Sequence, residues 1–236
     1  MIVGVHQPEH LPWLGFFDKM DQCDIFVILD TVQYRKNYFQ NRNKIRVASG
    51  EKTWAWLTVP IVKGSHTQLI RDVKISSDRD WRKKHLALIR LSYDKAPFFK
   101  RYIDVLMSIY EKEHSNLAPL NIELISAMQK LLGINTEVLV ASQLGTGEGS
   151  KGGTMVTFNI CKHLKATEYM SGAFGKDYLD EDVFKAGGVS VRYQEFHHPV
   201  YRQLYEPFAP EMSCIDLLFN EGDSAINIIR EANNRG

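Results

Sequence analysis

The sequence predicts an α/β fold: a mostly parallel, Rossmann-like sheet of the nucleotidylyltransferase-like kind, with one helical insertion. Three observations carry this. Ile2-Val3-Gly4-Val5 and Ile25-Phe26-Val27-Ile28-Leu29 are short, continuously apolar runs, the pattern of strands covered on both faces. Each run stops at polar residues, His6-Gln7 in the first case and Asp30 in the second. The second half of the chain alternates strand and helix patterns, as parallel strands with crossover helices require. Ligands of such sheets bind outside the carboxyl ends of the strands. The residues released there are therefore the first candidates for a site.

The elements follow in order. Apolar residues at helical spacing in Trp13–Met20 make a helix between the first two strands, a compact βαβ unit. Trp54–Pro60 reads as a strand closed by its proline, and Val73-Lys74-Ile75 as a short one. Residues 80–110 are helical with an interruption at Ala96-Pro97. A helix over 117–132 starts at Asn116 as N-cap and stops at Gly133. The strand 136–141 leads into the glycine-rich stretch 145–153, then a helix capped by Thr154 that runs to Leu164. Residues 168–172 form a strand, 179–186 a helix, 189–193 a strand, and 213–233 a helical tail with Ile215, Leu217, Leu218, Ile226 and Ile229 facing in. The whole, 1–236, is read as a single α/β domain, with 60–115 a helical insertion or lid.

Composition narrows the function classes. Hydrophobic residues make up 44% of the 236, and charged residues 24%, as in ordinary globular chains. A formal net charge of +1 argues against bulk attraction to nucleic acid or anionic membrane. Cys23, Cys161 and Cys214 lie far apart, with neither zinc-type spacing nor a disulfide framework, which suits a reducing cytoplasm. No signal peptide and no membrane span is expected, because His6 and Pro8 break the N-terminal apolar stretch. Nor is there a nucleophile elbow or a pair of histidines at metal-ligand helical spacing, so no metal is assigned.

Six features carry candidate chemistry. His6 and Gln7 follow the first strand; the alternative for His6 is a turn or helix cap. Asp30 opens a polar, cationic run with Gln33, Tyr34, Arg35, Lys36, Asn37, Gln40, Asn41, Arg42, Asn43 and Lys44, suited to anion binding unless it is a solvated loop. Gly172, Lys176, Asp177 and Tyr178 follow a later strand, where glycines allow close approach to a ligand; the alternative is a simple turn capped by Asp177. His198, Tyr201 and Gln203 form a polar and aromatic cluster beyond the last strand. Trp81 and His85 share a helical face, as a packing pair or as lid contacts. The glycines at 145–153 could cradle phosphate but suit a mobile loop better.

Taken together, the sequence resembles the WbqC-like protein family of bacteria. The resemblance rests on His6-Gln7-Pro8 with Leu11-Pro12-Trp13-Leu14-Gly15-Phe16, on Asp30-Thr31-Val32-Gln33-Tyr34 and on Asn41-Arg42-Asn43. Trp81 with His85, Gly175-Lys176-Asp177-Tyr178, His198-Pro199, and Asp216-Leu217-Leu218-Phe219-Asn220 extend it nearly end to end. It implies a role in surface-polysaccharide (O-antigen, lipopolysaccharide) biosynthesis: transfer of an acyl or aminoacyl group, such as glycyl, to a nucleotide-linked amino sugar. The implied donor is activated, either a carrier-protein thioester or an adenylate. On that reading His6 is the base, oriented by Gln7 or Asp30, with His198 and His85 as further catalytic candidates. Asn41, Arg42 and Lys44 hold the diphosphate, and Gln33, Tyr34 and Lys176 bind sugar, nucleotide or donor. Backbone amides near Gly172 and Gly175 stabilise the oxyanion. Two rivals are an ATP-using nucleotidylyltransferase or ligase and a non-catalytic nucleotide-binding protein.

Overall fold

The computed structural model describes residues 1–48, 53–62, 64, 68–77, 80–146 and 152–235. In chain order the first half comprises β1 (Ile2–His6), α1 (Leu14–Asp21), β2 (Ile25–Ile28), β3 (Arg42–Arg46), β4 (Trp54–Thr58), α2 (Trp81–Tyr93), α3 (Phe99–Tyr110) and α4 (Leu117–Leu131). The second half comprises β5 (Glu137–Val140), α5 (Ala141–Leu144), α6 (Gly153–His163), β6 (Glu168–Ser171), α7 (Glu181–Ala186), β7 (Ser190–Tyr193), α8 (Cys214–Glu221) and α9 (Ala225–Ala232).

Five strands form one sheet in the order β5-β2-β1-β6-β7, with every pairing parallel. Counted by their own sequence order these strands run 3-2-1-4-5, so the chain reverses direction across the sheet between β1 and β6. The apolar runs explain the layers. Val3, Val5, Val27 and Leu29 point to one face and pack on Val156, Ile160 and Cys161 of α6 and Phe184 of α7. Phe26, Ile28 and Met170 point to the other, against Phe16, Phe17 and Met20 of α1, Leu124 and Met128 of α4 and Leu217 of α8. The expected neighbours 2–5 and 25–29 are the central pair, and His6 and Asp30 emerge at the same end.

Several local expectations need correction. Arg42–Lys44 is strand β3, not loop, paired antiparallel with β4 outside the main sheet. Its alternation was masked because an inward position carries Asn43, fully buried and donating to the Leu11 carbonyl at 2.9 Å. Thr154 is not a cap: α6 starts at Gly153 after Gly152, whose φ of +84° needs glycine, and the Thr154 hydroxyl bonds the Tyr178 carbonyl instead. Asn116 precedes α4 as expected, yet its side chain accepts no helix amide; its Nδ2 donates to the Arg71 carbonyl. Gly222, at φ +59°, splits the tail into α8 and α9. Of the glycine-rich stretch, 147–151 lie outside the described residues.

Two buried polar systems lock the helices to the rest, and they absorb several expected site residues. Asp216 on α8 is fully buried and accepts from Tyr93 (2.8 Å), Tyr201 (2.7 Å) and Gln203 (2.9 Å). Tyr201 and Gln203 are thus fastened to α8. The second system joins α2, α3 and α4 to the loop after β1. His85 Nε2 donates to the Thr58 carbonyl at 3.1 Å, and His10 Nδ1 donates to Asn121 Oδ1 at 3.3 Å. The Tyr110 hydroxyl sits between the remaining ring nitrogens, 3.3 Å from His10 and 3.4 Å from His85. Asn121 in turn donates to the Gln40 carbonyl at 2.7 Å. Burial, reinforced by the neighbouring His85 ring, drops His10 to about 3; burial, opposed by the bond to Thr58, drops His85 to about 4. His85 is therefore a neutral structural group, packed edge-on against Trp81 with ring centroids 5.1 Å apart.

Replacing Tyr201 by Phe should lower unfolding free energy by about 1–3 kcal/mol, because a buried acceptor on Asp216 loses a donor. Ligand binding by the folded fraction should not change; denaturant titration and a binding assay on the same sample check both. The buried histidines also set an acid limit. Their folded pKa values lie below the unfolded value of 6.5, so the unfolded chain binds more protons between about pH 6.5 and pH 4. Stability should fall across that window on acidification, and His85→Gln should flatten the slope by about one histidine's share, at a cost in absolute stability.

Candidate functional site

The site begins with a mismatch in strand length. β1 pairs with β2 as far as His6, but with β6 only as far as Gly4. Backbone groups of alternate residues face opposite neighbours: the carbonyls of Ile2 and His6 bond β2-side amides, whereas that of Met1 bonds Thr167 before β6. Val5 therefore faces β6, where pairing has already stopped. Its carbonyl is taken instead by Lys19 of α1, whose ammonium donates to it at 2.8 Å. A cavity of about 330 Å³ opens at this divergence. His6 and Gln7 line it from β1, Leu29, Val32, Arg35 and Tyr38 from the segment after β2, Gly153, Val156 and Thr157 from α6, and Tyr169, Gly172, Phe174, Gly175 and Tyr178 from β6 and beyond.

Local chemistry holds these walls in place. Gln7 Oε1 accepts from Gln40 Nε2 at 2.5 Å, and Gln40 Oε1 accepts from the Arg35 amide at 2.8 Å, tying the loop after β1 to the loop after β2. Gly153 and Gly175 are small for a reason: a Cβ on the first would lie 2.7 Å from the Tyr178 ring, and on the second 1.9 Å from Ser171 Oγ. Phe174 and Tyr178 are 79% and 55% exposed, so the mouth of the cavity is aromatic and open to solvent.

His6 is held as a neutral base. Its Nδ1 lies 2.9 Å from the Gln7 carbonyl, which can only accept, so Nδ1 carries the proton and Nε2 keeps a lone pair that is free among the described residues. Its ring stands edge-on to Phe16 with centroids 4.9 Å apart. Burial, reinforced by the Lys19 charge and opposed by the Gln7 bond, lowers His6 to about 4. Burial also lowers Lys19, to about 8, against a weak opposing pull from Cys23 and Cys161. Lys19 is 2% exposed and still cationic at neutral pH.

Of the expected site residues, the cavity gathers His6, Gln7, Gly172, Gly175 and Tyr178. The others lie elsewhere. Asp30 does not orient His6: its carboxylate accepts the Ser142 amide at 3.0 Å and hydroxyl at 2.6 Å, pinning the start of α5. Tyr34 donates to Asn41 Oδ1 at 2.9 Å, and Asn41 donates to the Val59 carbonyl, so this pair anchors the loop to β4. Arg42 stacks over Trp56 at 4.3 Å and bonds the Asn37 carbonyl, and Lys44 pairs with Glu211 at 3.3 Å. Gln33 is exposed and bridges to Leu69. Lys176 and Asp177 are exposed, Lys176 lying 5.4 Å over Tyr193. Both nitrogens of His198 are used, Nδ1 toward the Pro199 carbonyl at 2.8 Å and Nε2 accepting the Glu211 amide at 3.0 Å. No described residue of 60–115 lines the cavity.

Sequence reading missed Lys19, Tyr38 and Thr157; Arg35 and Phe174 lay inside candidate stretches without a role of their own. Lys19 left one signal: it follows Phe16 by three places, on the buried stripe of α1, where an ammonium is out of character. Among the described residues no helix is long and apolar enough to cross a membrane.

Comparison with known proteins agrees with the reading of the motifs. The profile of the WbqC-like protein family matches residues 7–228. A protein of Mycobacterium tuberculosis strain ATCC 25618 / H37Rv, described as uncharacterized protein Rv1507c, is 36% identical over 231 residues, 97% of either chain. No solved structure matches. The chain belongs to the WbqC-like protein family.

Proposed function

We propose that the protein transfers an acyl or aminoacyl group to the amine of a nucleotide-linked amino sugar, with His6 as the proton acceptor. The observation that carries this is a neutral histidine whose Nε2 is free at the strand ends where an open α/β sheet binds its ligand. Family membership supports the substrate class. The amine nitrogen bonds to the acyl carbon, and the bond from that carbon to sulfur or phosphate oxygen breaks, the leaving group keeping the electron pair. His6 Nε2 takes the proton released from the nitrogen. A base near pKa 4 is weak for a free ammonium but adequate once nitrogen has attacked and its proton has become acidic.

Size assigns the parts. About 330 Å³ lies at the low end of small-molecule sites and suits one sugar or one nucleoside, not both. The remainder of the ligand would cross the mouth, over Arg35, Tyr38, Phe174 and Tyr178. The ATP-using reading keeps one specific support, the 3-2-1-4-5 strand order with the start of α6 on the cavity. Titration with ATP and with nucleotide-linked amino sugars discriminates the two.

Purified protein incubated with nucleotide-linked amino sugars and acyl thioesters or adenylates should produce a mass gain on the sugar. His6→Ala should cut turnover roughly a hundred- to ten-thousandfold while changing ligand affinity little. The acid limb of kcat/KM should lie well below pH 6.5, following the lowered pKa, and disappear in the variant. Near-normal turnover of the variant at saturating substrate would remove His6 from the chemistry. If the variant instead loses ATP binding, the nucleotidylyltransferase reading gains.

A further inference from the structure

Lys19 spends more on its position than its one visible bond returns. Burying an ammonium is costly unless it is paired and its three donors are satisfied. Among the described residues it has one acceptor, the Val5 carbonyl, and the groups beside it are thiols, not carboxylates. Those thiols, Cys23 and Cys161, are pushed up to about 12 by burial and stay neutral. A neutral amide donor could cover the Val5 carbonyl without burying a charge. Lys19 itself lines the cavity.

The rest of the wall has the same sign. Among the described residues no Asp or Glu lines the cavity, and Asp30 is turned onto Ser142. Arg35 stands on the wall, and α6 begins there with no side-chain cap on its first amides. Meanwhile the cations first expected to hold an anion, Arg42 and Lys44, are occupied on the β3–β4 face.

We propose that Lys19 forms an oxyanion subsite at the cavity floor, where a phosphoryl or carboxylate group of the ligand rests against its ammonium beside His6. This deepens the acyl-transfer reading and rests on it only for the identity of the whole molecule: a phosphoryl group would belong to a nucleotide or adenylate, a carboxylate to an acyl or aminoacyl unit. The anion supplies the missing counter-charge for Lys19 and brings the reacting part of the ligand within reach of His6 Nε2.

Binding of inorganic phosphate, pyrophosphate, acetate and glycine to the full chain tests this by calorimetry, without any assay of transfer. At least one oxyanion should bind, and Lys19→Met should weaken it about ten- to a hundredfold, the loss of a charge-assisted hydrogen bond. Arg42→Ala should leave it unchanged. Preference for phosphate and pyrophosphate, or for acetate and glycine, identifies the source of the anion. A second measurement holds even if Lys19→Met does not fold: in the wild type, the bound oxyanion should protect Lys19 from reductive methylation, read by peptide mass spectrometry. Oxyanion affinity retained by a folded Lys19→Met, no protection, or no oxyanion binding at all would overturn the subsite. Acyl transfer with an unaltered KM in Lys19→Met would overturn it while leaving the proposed function standing; oxyanion binding without acyl transfer would do the reverse.

Discussion

Everything at the candidate site depends on β1 and β6 parting company after Gly4 and Met170. A parallel sheet that reverses its strand order must open somewhere, and the opening exposes a backbone carbonyl to an apolar interior. Leaving such a group bare costs a few kcal/mol, so something must donate to it. Here the donor is Lys19, and the choice of a charged donor turns a structural repair into an electrostatic feature. The same cation helps keep His6 unprotonated. One side chain therefore links strand topology, cavity and base.

The motif residues divide into two physical groups. His6, Gln7, Gly172, Gly175 and Tyr178 line the cavity, with Gln7 also holding the next loop through Gln40. Asp30, Tyr34, Asn41, His85, His198, Tyr201, Gln203 and Asp216 instead satisfy one another or backbone groups at element ends. Buried polar networks of this kind are demanding, because removing one member strands its partners. They account for much of the unusual polar patterning without any contact with ligand.

The sheet was legible because its strands are covered on both faces: continuous apolar runs at 2–5 and 25–29 admit few other readings. The position of His6 followed from the general rule for strand ends. β3 was not legible, since its inward Asn43 hides the alternation and its cations stack on tryptophans of the partner strand. Asp30 misled for a related reason. A carboxylate at a strand end is equally suited to capping the next helix, and only the pairing of β2 with β5 brings Ser142 within reach. Lys19 was hidden in an apolar helix, where the short-range pattern says packing and the decisive fact, a bare carbonyl across the sheet, is non-local.

The central claim is that ligand enters at the divergence of β1 and β6. The most direct measurement is amide chemical-shift mapping during titration with a nucleotide-linked amino sugar. The account requires shifts concentrated at His6–Gln7, Arg35, the start of α6 and Gly172–Tyr178, with Lys19 Nζ perturbed in the same titration. Shifts confined to Arg42, Lys44 and the tryptophans of β4, with His6 and Lys19 silent, would contradict it.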